Sequence, residues 1–161
     1  LLLGLWGKRW LFRGEKTREE EPGLSYQGGD YAKKQGWTGP ETGLSCAFWG
    51  SSIGWVPVAV LDDLDFLPED HPGYEKLCAL VKELLEAVCR YQSEDGRWYQ
   101  VVNKGGMAGN WLENSCSCLT LASLCKALKN CILPEAYPDK ASRGHQGLIR
   151  SRARAGYSIG V

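Results

Sequence analysis

Apolar residues recur at helical spacing along most of this chain. Val56, Val60, Leu61, Leu64 and Leu67 share one helical face, and Leu67-Pro68-Glu69-Asp70-His71-Pro72-Gly73 stops the run. The clearest pattern follows: Leu77, Leu80, Val81, Leu84, Leu85 and Val88 recur at three- and four-residue steps, with Glu75, Lys76, Lys82, Glu83 and Glu86 on the other face. Ser93-Glu94-Asp95-Gly96 ends this helix as a turn. A third helix carries Leu119, Ala122, Leu124, Cys125 and Leu128. It is preceded by Asn110-Trp111-Leu112-Glu113, which has capping-box form and makes Glu113 the N3 residue. Leu133-Pro134-Glu135 breaks the third helix, and a fourth from about Glu135 to Arg150 uses Tyr137, Ala141, His145, Leu148 and Ile149.

The flanks read differently. Residues 1–22 are poorly patterned and end in the charged breaker Glu19-Glu20-Glu21-Pro22, and 151–161 form an unpatterned tail. Gly23 to Gly50, rich in glycine, turn residues and aromatics, reads as a long structured loop with room for a short hairpin. A weak repeat links Gly23-Leu24-Ser25-Tyr26-Gln27 to Gly96-Arg97-Trp98-Tyr99-Gln100. Each is followed by a Ser-Cys step, Ser45-Cys46 or Ser115-Cys116, that leads into an apolar helix. Units of this kind suggest an array of helical hairpins, with the aromatic loops at one end forming a binding face.

Charge and cysteine content narrow the class. The 161 residues carry 19 basic and 19 acidic side chains, which argues against a nucleic-acid surface. Lys8-Arg9 and the arginines of 150–154 read as solvated ends. Leu1-Leu2-Leu3-Gly4-Leu5-Trp6 is too short to span a membrane, and its charge follows the apolar run instead of preceding it as in a signal peptide. The chain starts with Leu instead of Met, as a fragment would. The seven cysteines form no CxxC pair, and His71 and His145 are the only histidines, so no zinc constellation is available. A reducing, cytoplasmic setting, with no metal or other cofactor and no obligate protein partner, is the expectation.

The candidate chemistry centres on Phe48-Trp49-Gly50-Ser51-Ser52-Ile53-Gly54-Trp55. Two indoles beside glycine- and serine-rich backbone suit a sugar ring, which has an apolar face and a rim of hydroxyls. The same pair also suits the cap of a core. Asp30 is balanced between a hydroxyl or water ligand and a turn acceptor. Asp62, Asp63 and Asp65 read as a solvated helix end, and His71 as a loop residue.

These pieces together resemble glycoside hydrolase families 88 and 105, the unsaturated glucuronyl and rhamnogalacturonyl hydrolases. Gly23-Leu24-Ser25-Tyr26-Gln27-Gly28-Gly29-Asp30 is similar to the family's GL-aromatic-YH-G-aromatic-D loop. Phe48-Trp49 and Gly54-Trp55 are similar to its FW-x-R-x-x-GW stretch. Thr42-Gly43-Leu44-Ser45, Leu67 to Pro72, Arg90-Tyr91-Gln92, Gly96 to Gln100, Asn110 to Ser115, Leu133-Pro134 and Gly147-Leu148 extend the likeness over residues 23–150. The resemblance implies an all-α fold, the middle-to-later part of an (α/α)6 barrel. It also implies hydration of the C4=C5 double bond that polysaccharide lyases leave on a uronic acid: an aspartate protonates C4 and helps water reach C5. That aspartate belongs to a motif upstream of the matched loop, so no residue here takes its role, and the chain alone is expected to be inactive.

By the same resemblance, Trp49, Trp55, Tyr26, Asp30, Gln27 and Ser51 fall at substrate-binding positions for an unsaturated uronic-acid oligosaccharide. Two depart from the family pattern. Gln27 stands for a histidine, exchanging a titratable donor for a neutral amide, and Ser51 for the arginine of FW-x-R, exchanging a bidentate clamp for one hydroxyl. Three readings therefore stand: a fragment of an unsaturated uronyl hydrolase, an inactive copy that binds sugar weakly, or a helical-repeat interaction module. Isolated helices meant to face further helices would also leave apolar faces uncovered.

Overall fold

The structure is a computed structural model that describes residues 2–19, 21–134 and 136–154. Among these the order is α1 (Leu2–Thr17), α2 (Gly50–Leu64), α3 (Tyr74–Cys89), β1 (Trp98–Tyr99), β2 (Leu112–Glu113), α4 (Asn114–Lys129) and α5 (Pro138–Arg154). The chain is mostly helical, as expected. The expected helix start at Glu135 and the residues 155–161 lie outside the described residues.

The helix with the clearest periodicity behaves as its pattern dictates. Leu77, Val81, Leu84, Leu85 and Val88 of α3 are buried in the core together with Val56, Val60, Leu61, Leu64 and Leu67. His71 caps the entry to α3, its Nδ1 accepting the Gly73 N–H at 3.1 Å. The first 22 residues depart from expectation, since most of them form α1. The face α1 presents to the protein includes Gly7, Trp10, Leu11, Gly14 and Thr17. Two glycines and a threonine make that face weakly apolar, so its periodicity is hard to see. Packing takes the place of propensity: a Cβ at Gly14 would lie 2.9 Å from the Leu80 side chain, and Trp10 Nε1 donates to Asp63 Oδ2 at 2.8 Å. Asp62 and Asp65 both accept from Lys126 Nζ at 2.6 Å. The three aspartates thus tie elements together instead of only facing solvent.

The crossing of α2 on α4 explains the glycine and serine around the tryptophans. Helix α2 begins at Gly50, so Gly50 to Trp55 are its first turns and not a loop before it. A Cβ at Gly50 would sit 2.9 Å from Cys116 Sγ, and one at Gly54 would sit 2.8 Å from Leu119 Cβ. The close approach these glycines permit is therefore to α4. Such a crossing selects small side chains opposite, and the buried stripe of α4 is Cys116, Ser117, Thr120, Ser123, Leu124 and Ala127. The expected face is rotated accordingly, with Ala122 and Cys125 exposed.

Helix α5 follows the same logic. Ala141, Gly144 and Gly147 face inward, while His145 and Ile149, expected on that face, are exposed. A Cβ at Gly147 would lie 2.5 Å from the Asp95 carbonyl oxygen. Residues 151–154, expected in the tail, continue α5, where Arg150 Nη2 donates to the Asp95 carbonyl at 2.6 Å. The turn before β1 is as expected: Gly96 has φ of +94° and the Ser93 N–H meets the Arg97 carbonyl at 3.0 Å.

Burial also sets thiol chemistry. Cys89 and Cys116 are buried, and burial pushes each thiol from its ordinary 9.0 up to about 12. The folded state favours their neutral form, so that contribution to stability is intact below pH 9.0 and is lost as pH rises from there toward 12. Cys46, Cys118, Cys125 and Cys131 are exposed. A thiol-reactive chromophore at neutral pH is expected to label these four quickly in the native chain, and Cys89 and Cys116 only after denaturation. Rapid native labelling of Cys89 or Cys116 would contradict the packing described.

Candidate functional site

The long loop between α1 and α2 is held by three isolated bridges, Arg18 to Ser25, Gly29 to Leu44 and Thr38 to Ser45. Its far end joins the ribbon: Trp49 bridges Val101, the Gly50 N–H donates to the Gln100 carbonyl at 2.7 Å, and the Val102 N–H donates to the Phe48 carbonyl at 3.0 Å. The ribbon pairs Trp98 with Glu113 and Tyr99 with Leu112. The loop and the ribbon thus meet where α2 and α4 begin, which is the loop-bearing end the repeat suggested.

Two hollows open on this loop and share Gln27 and Gly28 as a common wall. One, of about 460 Å³, is lined by Trp37, Ser45, Cys46, Ala47 and Trp49. Trp37 is 50% exposed and Trp49 37%, so part of each indole is open to a ligand. The other, of about 390 Å³, lies between α1 and the loop and is lined by Phe12, Arg13, Lys16, Tyr31 and Lys33 among others. A flat apolar surface adjoining a cationic cleft matches a sugar that carries an acidic group.

The residues expected at the site are distributed as follows. Gln27 borders both hollows, and its carbonyl accepts from Arg13 Nη2 at 3.0 Å. Trp49 lines the aromatic hollow. Trp55, six residues on and 60% exposed, lies on the surface of α2 and lines neither hollow. The aromatic neighbour of Trp49 is instead Trp37. Tyr26 serves the loop, stacking on Phe48 with ring centroids 4.3 Å apart. Its hydroxyl donates to Glu19 Oε2 at 2.6 Å, and this bond is the first cause of a pKa raised to about 12.

Asp30 borders the cationic cleft as a turn acceptor. Its carboxylate takes the Ala32 N–H at 3.0 Å, Lys34 at 2.8 Å and Gln35 at 3.1 Å. These bonds, Lys34 first, hold its pKa down.

Ser51 is nearly buried and faces Glu113. Its Oγ lies 3.0 Å from Glu113 Oε1 and 3.1 Å from Ser115 Oγ. Glu113 is the N-cap residue of α4, one position before the helix, and not the N3 of a capping box. The box fails because Asn110 is used elsewhere: its side chain takes the Val101 N–H and donates to the Val101 and Lys104 carbonyls, shaping the loop before β2. Glu113 Oε2 is buried with no hydrogen-bond partner. An arginine at position 51 would bring donors to that oxygen. Ser51→Arg is therefore expected to raise stability by about 1–2 kcal/mol, and Glu113→Gln to erase the gain. A double-mutant cycle in denaturant measures the coupling; a lower midpoint for Ser51→Arg in both backgrounds would show that the arginine finds no carboxylate there.

Sequence reading missed Arg13 and Trp37. Arg13 lies in the segment that looked unpatterned, and Trp37 lies in the aromatic-rich loop without a motif to single it out. Among the described residues no group of three or more His, Cys, Asp or Glu is placed to hold a metal ion. No helix there is long and apolar enough to cross a membrane.

Comparison with known proteins agrees with the resemblance. The model of glycosyl hydrolase family 88 matches residues 10–158. Protein Atu3128 of Agrobacterium fabrum is 34% identical over 127 residues, 78% of this chain and 54% of that protein. The unsaturated 3S-rhamnoglycuronyl hydrolase of an Alteromonas species is 39% identical over 51 residues, 32% of this chain and 12% of its own length. A C. acetobutylicum glycoside hydrolase from family 105 superposes with a TM-score of 0.86 at 30% identity, over 89% of this chain and 40% of that one. The chain thus spans about half the length of the curated relative that it matches over most of its own residues. From its motifs, its helical fold and these matches, the chain belongs to glycosyl hydrolase family 88 and its family 105 relatives.

Proposed function

We propose that this chain forms the sugar-gripping part of a hydrolase of unsaturated uronyl oligosaccharides, the products of pectin or glycosaminoglycan lyases. The observation that carries the reading is the pair of adjoining hollows. Trp37 and Trp49 offer ring faces on one side of Gln27, and Arg13, Lys16 and Lys33 offer positive charge on the other. The helices would form part of an (α/α)6 toroid, which the 0.86 TM-score to a family 105 hydrolase supports. The reaction would be hydration of the C4=C5 bond, with the acid–base aspartate supplied from outside the residues described. Seven cysteines without a disulfide favour a reducing, cytoplasmic setting. One relative is itself an unsaturated rhamnoglycuronyl hydrolase, in line with this substrate class.

A second reading, an inactive copy that retains only sugar binding, is favoured by Ser51, which is held between Glu113 and Ser115 and carries no charge.

Ultraviolet absorbance distinguishes the two, because hydration destroys the conjugated unsaturated uronide. The chain alone is expected to leave the absorbance unchanged. The chain joined to the flanking segments of a close relative is expected to remove it if the first reading holds. Persistent absorbance with a folded, joined protein supports the inactive copy, and loss of absorbance with the chain alone would overturn the missing-aspartate argument.

A further inference from the structure

The cleft between α1 and the loop contains a cation that is not paired with a carboxylate. Arg13 is half-buried, yet its hydrogen bonds go only to neutral groups: Nη2 lies 3.0 Å from the Gln27 carbonyl and 3.4 Å from Ser52 Oγ. Arg18, Arg97 and Lys126 each pair with a carboxylate, whereas Arg90, Arg143 and Arg150 donate to carbonyl oxygens away from this cleft. Burial lowers the pKa of the Arg13 guanidinium, as expected of a partly desolvated charge without an anionic neighbour. The fork is also fixed in place, because its bonds tie α1 to the loop and to the first turn of α2.

The rest of the cleft adds to this charge. Lys16 and Lys33 line it with Arg13, and Lys16 Nζ stands 5.9 Å above the Phe12 ring. Lys33 donates to the Glu41 carbonyl, a neutral acceptor. Asp30, the acidic side chain in the lining, has both oxygens engaged by backbone N–H groups, so three cationic side chains face one carboxylate that the loop backbone already holds. Phe12 and Tyr31 are 53% and 75% exposed at the rim, so apolar surface flanks the positive charge.

We infer that this cleft is an oxyanion site, in which Arg13, assisted by Lys16 and Lys33, binds the carboxylate or sulfate ester of a sugar whose neighbouring ring lies against Trp37 and Trp49. Arg13 would thus determine specificity for charged substrates in a chain whose position 51 carries a neutral serine. The inference deepens the proposed function and rests on it for the ring site, but it requires only an anion, not an unsaturated one.

Calorimetric titration of the full chain tests it with four disaccharides: a saturated uronate, its unsaturated counterpart, a neutral sulfated one, and a neutral unsulfated one. At least one charged class is expected to bind ten times more tightly than the neutral unsulfated sugar, with the preference shrinking as salt rises. Preference for uronates alone identifies a carboxylate site; preference for the sulfated sugar alone identifies a sulfate site. Arg13→Gln is expected to erase the preference, Arg13→Lys to retain part of it, and Lys33→Met, on an exposed side chain, to reduce it about threefold without changing the fold. Undiminished preference in Arg13→Gln, or equal or absent binding of charged and neutral sugars by the native chain, overturns the inference. Equal binding of saturated and unsaturated uronates would leave the anion site standing while counting against the hydration reading.

Discussion

Replacing Trp98 with alanine is expected to cost this chain a large part of its folding stability. Trp98 is fully buried, its Nε1 donates to the Val88 carbonyl at 2.9 Å, and its backbone N–H donates to Ser117 Oγ at 2.9 Å. The indole thus joins the end of α3 to the ribbon, and the backbone of the same residue reaches α4 through Ser117. Helix α5 rests on the same ring, since a Cβ at Gly144 would be 3.3 Å from it. Truncation removes a large, fully buried side chain and its hydrogen bond to the Val88 carbonyl, a loss of about 3–5 kcal/mol from a total of about 5–15. Denaturant unfolding followed by circular dichroism measures it. A change below 1 kcal/mol would mean that α3, the ribbon and α5 do not share this ring.

Truncating the two open indoles is expected to have the largest effect on binding. Trp37→Ala and Trp49→Ala should each weaken an oligosaccharide by about 2 kcal/mol, roughly thirtyfold, because each removes one flat wall of the same hollow. Trp55→Ala, on the α2 surface, should leave affinity unchanged. Stability should move little in all three, since these rings are 50%, 37% and 60% exposed. Titration calorimetry against an unsaturated uronyl disaccharide decides the matter. A loss with Trp55→Ala equal to that with Trp49→Ala would restore the pairing that the sequence suggested.

What the sequence disclosed depended on how each contact is made. Helices that bury large aliphatic side chains were visible, α3 above all, because Leu and Val at three- and four-residue steps are their own signal. Helices that bury small residues were misread in register or missed. Helix α4 buries Ser117, Thr120 and Ser123, which a hydropathy pattern counts as exposed, and Gly50 and Gly54 of α2 approach it at Cys116 and Leu119. Helix α1 relies on Gly14 in the same way, against Leu80. The loop motifs lie beside the two hollows but do not name all of the residues that line them. Gln27 and Trp49 line these hollows, while Arg13 reaches one from another helix and Trp37 the other from the far side of the loop. Such partners are set by tertiary approach, which no local spacing records. Glu113 shows the converse: its spacing from Asn110 fitted a cap, but Asn110 is spent on the Val101 and Lys104 backbone, and the carboxylate turns to Ser51.

The claim on which the rest depends is that this segment grips a charged sugar between the Trp37–Trp49 hollow and the Arg13 cleft. Indole N–H resonances of the labelled chain, assigned by single Trp→Phe substitutions and followed during titration with an unsaturated uronyl disaccharide, test it most directly. The Trp37 and Trp49 signals are expected to shift together and saturate, the Arg13 side-chain signal to shift with them, and the buried Trp98 signal to stay in place. Shifts confined to Trp55 or Trp111, or no shift at saturating sugar, would contradict it.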